Sequence, residues 1–411
     1  MGTTVRRTVL SPRVSLGPLR GPLMFGGLAL GVVGLASAFF AAGGQSTEGL
    51  RNFLASYLVA FCFFMSIALG GLFWVIIMHL TRAGWGVAVR RLAEILAMAA
   101  FPGLVLFLPI LIPVMLESPS AIYDWVAPHP RLKDFADLLA LKQPYLNGPF
   151  FGIRSILYFV IWGVLARYFL AGSRKQDATG DVSISLKMQS FAAPAMLLFA
   201  GTLVFASFDW EMSVEPIWFS TIYPVYFFAG AAMSSMCMLI VLSFLLQRSG
   251  RLTEDINTEH YHDLSKLTYA FVFFWGYIAF SQYLLIWYAN LPEETFWFQA
   301  RQQGGWEIAS IVLMVTHLFL PFLAIMPRTL RRNRYYMAVA ASLLLVAHWF
   351  DHFWLVMPTY RPEFAISAVE ILCVLGLGGF FVSAVAMIAG DGKLIPVNDP
   401  RLVESLNYHN A

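Results

Sequence analysis

The stretch SFDWEMSVEPIWFST, residues 207–221, joins two long apolar runs and decides how the chain is folded. It holds three carboxylates, Asp209, Glu211 and Glu215, and no Lys or Arg. A short acidic turn between two apolar runs of about 20 residues or more is typical of a loop at one face of a membrane. We therefore expect these carboxylates to lie at the edge of the hydrocarbon layer.

The rest of the chain repeats this pattern of apolar runs and short polar turns. Its 411 residues are 59% hydrophobic and only 12% charged, with a mean hydropathy of +0.68, whereas soluble domains carry about 25% charged residues. The runs are too long and continuous for the strands of a membrane β-barrel, so we predict an all-α integral membrane protein. Ten spans are expected, at 22–42, 51–80, 88–116, 149–171, 188–208, 217–247, 264–290, 305–326, 335–357 and 365–389.

The distribution of basic residues predicts the orientation of these spans. With the N-terminus on the cytoplasmic side, 20 of the 27 Lys and Arg fall in inner segments and 7 in outer segments. Inner loops of membrane proteins carry the excess of positive charge, so we expect a multi-pass protein with both termini in the cytoplasm. The net charge of +3 therefore belongs to the loops and gives no indication of nucleic-acid binding.

The polar segments divide the chain into a cytoplasmic segment 1–21, a membrane domain 22–389 and a cytoplasmic tail 390–411 that we expect to lie against a partner. Inside the membrane domain, the outer loop 117–148 contains an amphipathic helical pattern, and the inner loop 248–263 is a solvated connector. The first run follows two arginines and contains an Ala-Ser-Ala triplet at 36–38 that mimics the cleavage site of a signal peptide. At about 20 residues it is longer than a signal core, so we expect an uncleaved helix, although charge counting leaves cleavage open.

Spans 2–5 and 6–9 have the same polarity, and spans 5 and 9 both end in an aromatic–aspartate sequence. This weak echo is compatible with two parallel four-helix bundles, flanked by spans 1 and 10, but does not establish them. The three cysteines each fall inside a span, and none is part of a C-x-x-C motif. The chain therefore lacks the ligand set of an iron–sulfur cluster or a covalently attached haem. The three cysteines are Cys62, Cys237 and Cys373.

Ionisable residues inside the spans form the main candidate site. His348, Asp351 and His352 have the i, i+3, i+4 spacing of one helical face in span 9, and His317 lies in the middle of span 8. Glu370 and Gln282 also fall in the outer half of their spans, which predicts a single polar pocket there. His79 and Glu94 lie toward the opposite side. Charges within a membrane are costly and usually face a bundle interior or water.

Two interpretations of these residues stay open. Histidines and carboxylates titrate near neutral pH, which favours a proton path with an outer and an inner half. The alternative is a set of satisfied polar contacts between helices. A haem held between His317 and either His348 or His352 is a further, less favoured interpretation, and we expect no metal site and no catalytic residue in this chain.

The outer acids Asp209, Glu211 and Glu215 admit three interpretations. They accept protons from a quinol, bind a basic loop of a partner, or cap helices. The segment SQYLLIWYANLPEETFWF, residues 281–298, ends span 7 in acids and aromatic side chains, which is also the composition of an ordinary aromatic belt at the membrane interface.

Several segments, in order along nearly the whole chain, resemble the polysulfide-reductase membrane-subunit (NrfD-like) family. Within that family the chain looks like the second, F-type, of the two large membrane subunits of bacterial alternative complex III. The resemblance lies in LTRAGWGVAVRRLAE (80–94), KQPYLNGPFFGIRSILYF (142–159), SFDWEMSVEPIWFST (207–221), FSQYLLIWYANLPEETFWF (280–298), HLFLPFLAIMPRTLRRN (317–333), HWFDHFWLVMP (348–358) and NDPRLVESLNYHN (398–410).

The resemblance implies ten helices in a bacterial inner membrane, with spans 2–5 and 6–9 arranged as two four-helix bundles. It also implies a role in a quinol:electron-acceptor oxidoreductase. The chain itself would carry no redox centre and bind no cofactor other than a quinone such as menaquinol. Haem c and iron–sulfur clusters would reside in partners: a multihaem cytochrome c, an iron–sulfur subunit and a second NrfD-like subunit, all surrounded by lipids. Two other functions remain open on the sequence alone, a stand-alone secondary transporter and a structural scaffold of the complex.

Overall fold

The computed structural model describes residues 10–126 and 130–410, and these residues form helices and connecting loops without a β-strand. Ten helices of the described residues are long and apolar enough to cross a membrane, which confirms the predicted all-α membrane fold with ten spans. The spans are Gly17–Ala41, Thr47–Leu80, Val87–Met115, Gly148–Thr179, Val182–Val214, Tyr223–Arg248, Thr258–Ala289, Trp306–Ile325, Arg334–Thr359 and Ala368–Ala389.

Spans 2, 4 and 7 are longer than their apolar runs. They contain 34, 32 and 32 residues, and at about 1.5 Å per residue such helices exceed the roughly 30 Å of the hydrocarbon core. The additional turns are polar, so hydropathy assigns them to loops. Their starts are fixed by capping: the Asn147 side chain accepts from the backbone N–H of Phe150 at 2.9 Å, and Asn257 accepts from Glu259 and His260 at 2.9 and 3.2 Å.

Span 3 is not the continuous helix that the run 88–116 predicts. It consists of two helices, Val87–Met98 and Gly103–Met115, with Pro102 at the start of the second. Proline has no N–H to donate to the preceding turn and its ring clashes there, so the helix is interrupted and restarts. Span 8 is also irregular, because a π-helical segment, Met314–Phe319, lies between Trp306–Leu313 and Leu320–Ile325.

Span 2 is the central helix of the molecule, with 83% of its most apolar window buried. It packs against spans 3, 5, 6, 9 and 10, and span 1 packs along span 10. Glycines allow the close approach of spans 1 and 10: a Cβ on Gly34 would lie 2.7 Å from the Cα of Gly376. The grouping of spans 2–5 and 6–9 into two four-helix bundles stays a prediction.

The polar ends of the chain fold back onto the membrane domain. In the outer loop a 3₁₀ helix, Pro130–Phe135, and a short helix, Ala136–Lys142, occupy the region of the amphipathic pattern. The tail contains the helix Leu402–Leu406, whose Ser405 hydroxyl donates to the Trp85 carbonyl at 2.6 Å and accepts from the backbone of Ala88 at 3.1 Å. The tail thus packs against its own chain at the start of span 3, and its expected contact with a partner stays a prediction.

Candidate functional site

The first acid of the stretch 207–221 forms a buried ion pair. Asp209 is fully buried and accepts two bonds from the Arg154 guanidinium, both at 2.9 Å, and a third from the Tyr158 hydroxyl at 2.7 Å. Arg154 is itself stacked against Tyr145 and Phe150, with its central carbon 3.8 and 4.2 Å from the two ring centres. Asp209 therefore joins spans 4 and 5 and does not face an open rim.

Glu211 also turns inward, toward span 9. Its Oε1 lies 2.5 Å from Nδ1 of His352, and its Oε2 accepts from the Tyr223 hydroxyl at 3.2 Å. Since both Glu211 and His352 are buried, the pair connects the acidic turn to the histidine face of span 9. The sequence treated these as two separate sites, whereas the structure brings them together.

The predicted face of span 9 is observed, and its three residues are buried at about 1% exposure each. The imidazole centres of His348 and His352 are 4.7 Å apart, and Nδ1 of His348 is 4.0 Å from Oδ2 of Asp351. Asp351 accepts hydrogen bonds from the Tyr226 hydroxyl and from Nε1 of Trp275, the latter at 3.1 Å. Asp351 thus has neutral donors and histidines as neighbours, in contrast to the Arg-paired Asp209.

His317 completes this group from span 8. It lies in the π-helical segment, with its ring centre 5.8 Å from that of His348 and 3.9 Å from that of Trp275. Single π-helical turns occur often at functional sites. We call Glu211, His317, His348, Asp351 and His352 the outer cluster.

Several imidazole nitrogens of the outer cluster have no hydrogen-bond partner among the residues that the structure describes. They are both nitrogens of His317, Nδ1 of His348 and Nε2 of His352, while Nε2 of His348 lies 2.9 Å from the Ser66 hydroxyl. Buried polar atoms are normally satisfied, by water where protein offers no partner. A cluster with this many spare donor and acceptor positions is suited to hold water or to transfer protons between neighbouring groups.

The outer cluster also contains the only set of side chains, among the described residues, close enough to share a metal ion. Ligand atoms of His317, His348 and Asp351 lie within 4.8 Å of one another. Both oxygens of Asp351 already accept hydrogen bonds, however, and Trp275 packs directly on the His317 ring, where a porphyrin would have to lie. The expectation of no metal and no haem stays a prediction.

Glu370 does not belong to the outer cluster, although the sequence groups it there. It accepts from the hydroxyl of Ser56 at 2.8 Å and from the backbone of Ser367 at 2.6 Å, as part of the cap of span 10, and forms an ion pair with Arg361 at 2.8 Å. Ser56 and Ser66 are ten residues apart on span 2, which is about 15 Å along the helix axis. Glu370 therefore stabilises the outer end of span 10 at a distance from the histidines.

The inner candidates form a separate group. Glu94 is buried and accepts from Arg90 at 3.3 Å and Arg91 at 2.9 Å, and Arg90 also pairs with Asp399 of the tail at 2.5 Å. His79 stacks on Phe169, with ring centres 5.1 Å apart. It lines a pocket of about 240 Å³ that Arg90 and Asp399 also line.

The inner group is not continuous with the outer cluster. His79 is 13 residues beyond Ser66 on span 2, or about 20 Å along the helix axis. The two predicted groups of ionisable residues therefore lie apart along span 2. No contact among the described residues joins them.

Glu215 and the outer loop form a third polar region. Glu215 is buried, and Lys142 donates to the neighbouring carbonyl of Pro216 at 2.5 Å. Partial burial lowers the pKa of Lys142, and the nearby Glu215 carboxylate opposes that change. Glu215 is thus associated with the outer loop and not with the outer cluster.

Sequence reasoning missed the partners that fix these side chains. Tyr226, Trp275 and Ser66 lie among the apolar residues of their spans, so local pattern gives no indication of their roles. An intramembrane Arg at the start of an apolar run was the one available signal, because such a residue normally has an acidic partner. The partner's identity was not visible, since Arg154 and Asp209 are 55 residues apart.

Comparison with known proteins identifies no family for this chain. No protein-family model matches it, and a search of curated proteins finds no significant match. The arguments for function therefore rest on the residues and on the arrangement described above.

Proposed function

We propose that this chain is a membrane subunit of a quinol-oxidising respiratory complex, similar to the NrfD-like subunits of alternative complex III, and that its outer cluster conducts protons. The observation that carries the proposal is the outer cluster itself, in which two carboxylates and three histidines are buried with unpartnered imidazole nitrogens. Maintaining such groups inside a membrane is costly, and this cost is usually associated with ion or proton movement.

The proton path proposed here has an outer and an inner half. In the outer half, Glu211, His352, His348 and Asp351 follow one another at contact distances, with Tyr226 as a neighbouring hydroxyl. In the inner half, His79 lines the pocket next to Arg90 and Asp399. Water would have to bridge the roughly 20 Å between the halves during transfer. Electrons would pass through haem and iron–sulfur partners, and this chain would supply quinol access and proton movement.

The transporter alternative has less support. Transporters commonly show interrupted helices at corresponding positions of two repeats. Here the interruptions are at Pro102 in span 3 and at Met314–Phe319 in span 8, which do not correspond if spans 2–5 are compared with spans 6–9. A scaffold without proton movement leaves the unpartnered histidines unexplained.

The first test is the identity of the partners. The tagged chain is extracted in a mild detergent, and the proteins that copurify are identified by mass spectrometry. A multihaem cytochrome c, an iron–sulfur protein and a second ten-span subunit are expected. Isolation of the chain without any redox protein would contradict the respiratory assignment.

The second test concerns the outer cluster. In the purified complex reconstituted into vesicles, Asp351→Asn should reduce proton translocation per quinol by at least about tenfold, because the amide cannot exchange a proton in the same way. The matched control is Asp391→Asn, an exposed aspartate beside Arg20. Reduction of the partner haems by quinol should persist in both variants. Unchanged proton translocation in Asp351→Asn would remove the proton path from this cluster.

A further inference from the structure

A cavity of about 560 Å³ lies between spans 7, 8 and 9, beside the outer cluster but not part of it. Its walls include Trp275, Ala279, Leu313 and Trp354, and the helix Pro292–Gln299 covers its outer end. Its volume is in the range of small-molecule sites, which is about 300–1,000 Å³.

The cavity opens sideways toward the membrane. Phe280, Met314 and Phe319 line the cavity, and their side chains are 59%, 50% and 52% exposed. Exposed apolar side chains on spanning helices face lipid, so a ligand would enter from the bilayer and not from water. This route selects for a lipid-soluble molecule.

Two buried donors point to the kind of ligand that the cavity accepts. Gln282 is 4% exposed, lines the cavity, and its amide nitrogen has no hydrogen-bond partner within 10–126 and 130–410, the described parts of the chain. Arg301 is 2% exposed and lies with its central carbon 3.3 Å from the Trp297 ring centre. A buried donor without an acceptor is energetically unfavourable, so an acceptor atom supplied by a ligand would be favoured here.

Arg301 retains donor capacity after its protein contacts are counted. It donates to the carbonyls of Trp297, Trp354 and Leu355 at 2.7, 3.2 and 2.7 Å, and the Glu215 carboxylate also acts on its charge. Three of the five guanidinium N–H groups are thus used. Burial lowers the pKa of Arg301 to about 9, so it remains a cation at neutral pH.

The positions of the two donors favour a flat ring over a phospholipid head group. Arg301 lies in the connection between spans 7 and 8, whereas Gln282 is seven residues before the end of span 7, about 10 Å along the helix axis. A phosphate would remain near the interface and leave Gln282 without an acceptor. A quinone ring carries an acceptor oxygen at each end, and the tryptophan walls of the cavity provide aromatic faces for it.

We infer that this lateral cavity binds the head group of an isoprenoid quinone, with its two oxygens toward Gln282 and Arg301. The inference rests on the proposed function and adds a location to it. Tyr226 and Trp275 line the cavity and both donate to Asp351, so they separate the bound ring from the outer cluster by one side chain.

The test measures binding by the purified full-length chain in nanodiscs, with decylubiquinone and 2-methyl-1,4-naphthoquinone as probes. Quenching of tryptophan fluorescence is the readout, because Trp275, Trp297 and Trp354 line the cavity. Saturable quenching is expected for the unmodified chain. Ala279→Phe, which fills the cavity, should abolish it, and Gln282→Leu, which removes one donor, should weaken binding about tenfold.

The control is Leu285→Phe on the same helix, an exposed residue that does not line the cavity. It should bind both probes as the unmodified chain does. Equal affinity in Ala279→Phe and Leu285→Phe would overturn the inference, as would a phospholipid that copurifies with the chain, is lost in Ala279→Phe and is not displaced by either probe.

This outcome is separate from that of the proposed function. Asp351→Asn should bind the probes normally while proton translocation fails. If Ala279→Phe abolishes binding but Asp351→Asn translocates protons normally, the quinone site stands and the proton path does not. If all variants bind equally and Asp351→Asn alone loses translocation, the proton path stands and the quinone site does not.

Discussion

Asp209 and Asp351 are both buried aspartates, but their neighbours differ. Asp209 faces the Arg154 guanidinium in a two-bonded ion pair, whereas Asp351 accepts bonds from the neutral Tyr226 and Trp275. A carboxylate fixed by an arginine stays charged and holds its partner in place, so its role is structural. A carboxylate without such a cation is better suited to gain and lose a proton.

This difference gives a prediction for stability. Asp209→Asn should destabilise the protein by about 3–5 kcal/mol, because it leaves the buried Arg154 without a counter-charge. Tyr158→Phe, which removes only one neutral donor to the same carboxylate, should cost about 1 kcal/mol. Thermal unfolding of both variants in detergent provides the measurement. Similar losses in the two variants would show that the ion pair is not the main contribution of Asp209.

At the scale of the helices, the pairing of spans 1 and 10 depends on glycine. A Cβ on Gly34 would meet the Gly376 backbone at 2.7 Å, whereas a Cβ on Gly26 of the same span would meet nothing within 4 Å. Helices in lipid associate through such close backbone contact, since burial of apolar surface gives little driving force there.

Gly34→Leu should therefore destabilise the contact of span 1 with span 10 by about 1–3 kcal/mol, the usual cost of overpacking. Gly26→Leu is the matched control and should have little effect. Limited proteolysis of the loop between spans 1 and 2, together with the melting temperature, measures the change. Equal behaviour of the two variants would mean that span 1 is held by other contacts.

The helices also show what hydropathy is able to predict. The ten spans and the shared face of His348, Asp351 and His352 follow from local periodicity, and both are present. Pro102 is a signal for a helix break, but it lies within a long apolar run, so hydropathy predicts one continuous span there. Hydropathy does not predict the polar end turns of the long helices, because it detects only apolar residues. Capping by Asn147 and Asn257 satisfies the backbone of these turns outside the hydrocarbon.

Contacts between distant residues mark the limit of that prediction. Glu211 and His352 are 141 residues apart, and their 2.5 Å contact depends on how spans 5 and 9 pack around span 2. Periodicity within one helix contains no information on such packing. Glu370 shows a different error. Its depth in the membrane predicts a position near the histidines, whereas the packing of span 10 brings it to Arg361.

At the scale of the whole molecule, the charge distribution predicts one orientation. Ala140 in the outer loop and Ala178 at the end of span 4 are exposed and lie on opposite sides in this scheme, while the three native cysteines are buried. In right-side-out vesicles a membrane-impermeant maleimide should label Ala140→Cys and not Ala178→Cys. Inside-out vesicles should give the reverse result. The same residue labelled in both preparations would contradict the positive-inside assignment.

The ion pair between Arg90 and Asp399 has a consequence for synthesis of the chain. Its two residues are 309 positions apart, which at about 5–20 residues per second corresponds to roughly 15–60 s of translation. Throughout that time span 3 is in the bilayer while its tail-side partner has not left the ribosome. The inner end of the protein is therefore completed last, and until Asp399 is synthesised Arg90 depends on Glu94, a carboxylate that it shares with Arg91.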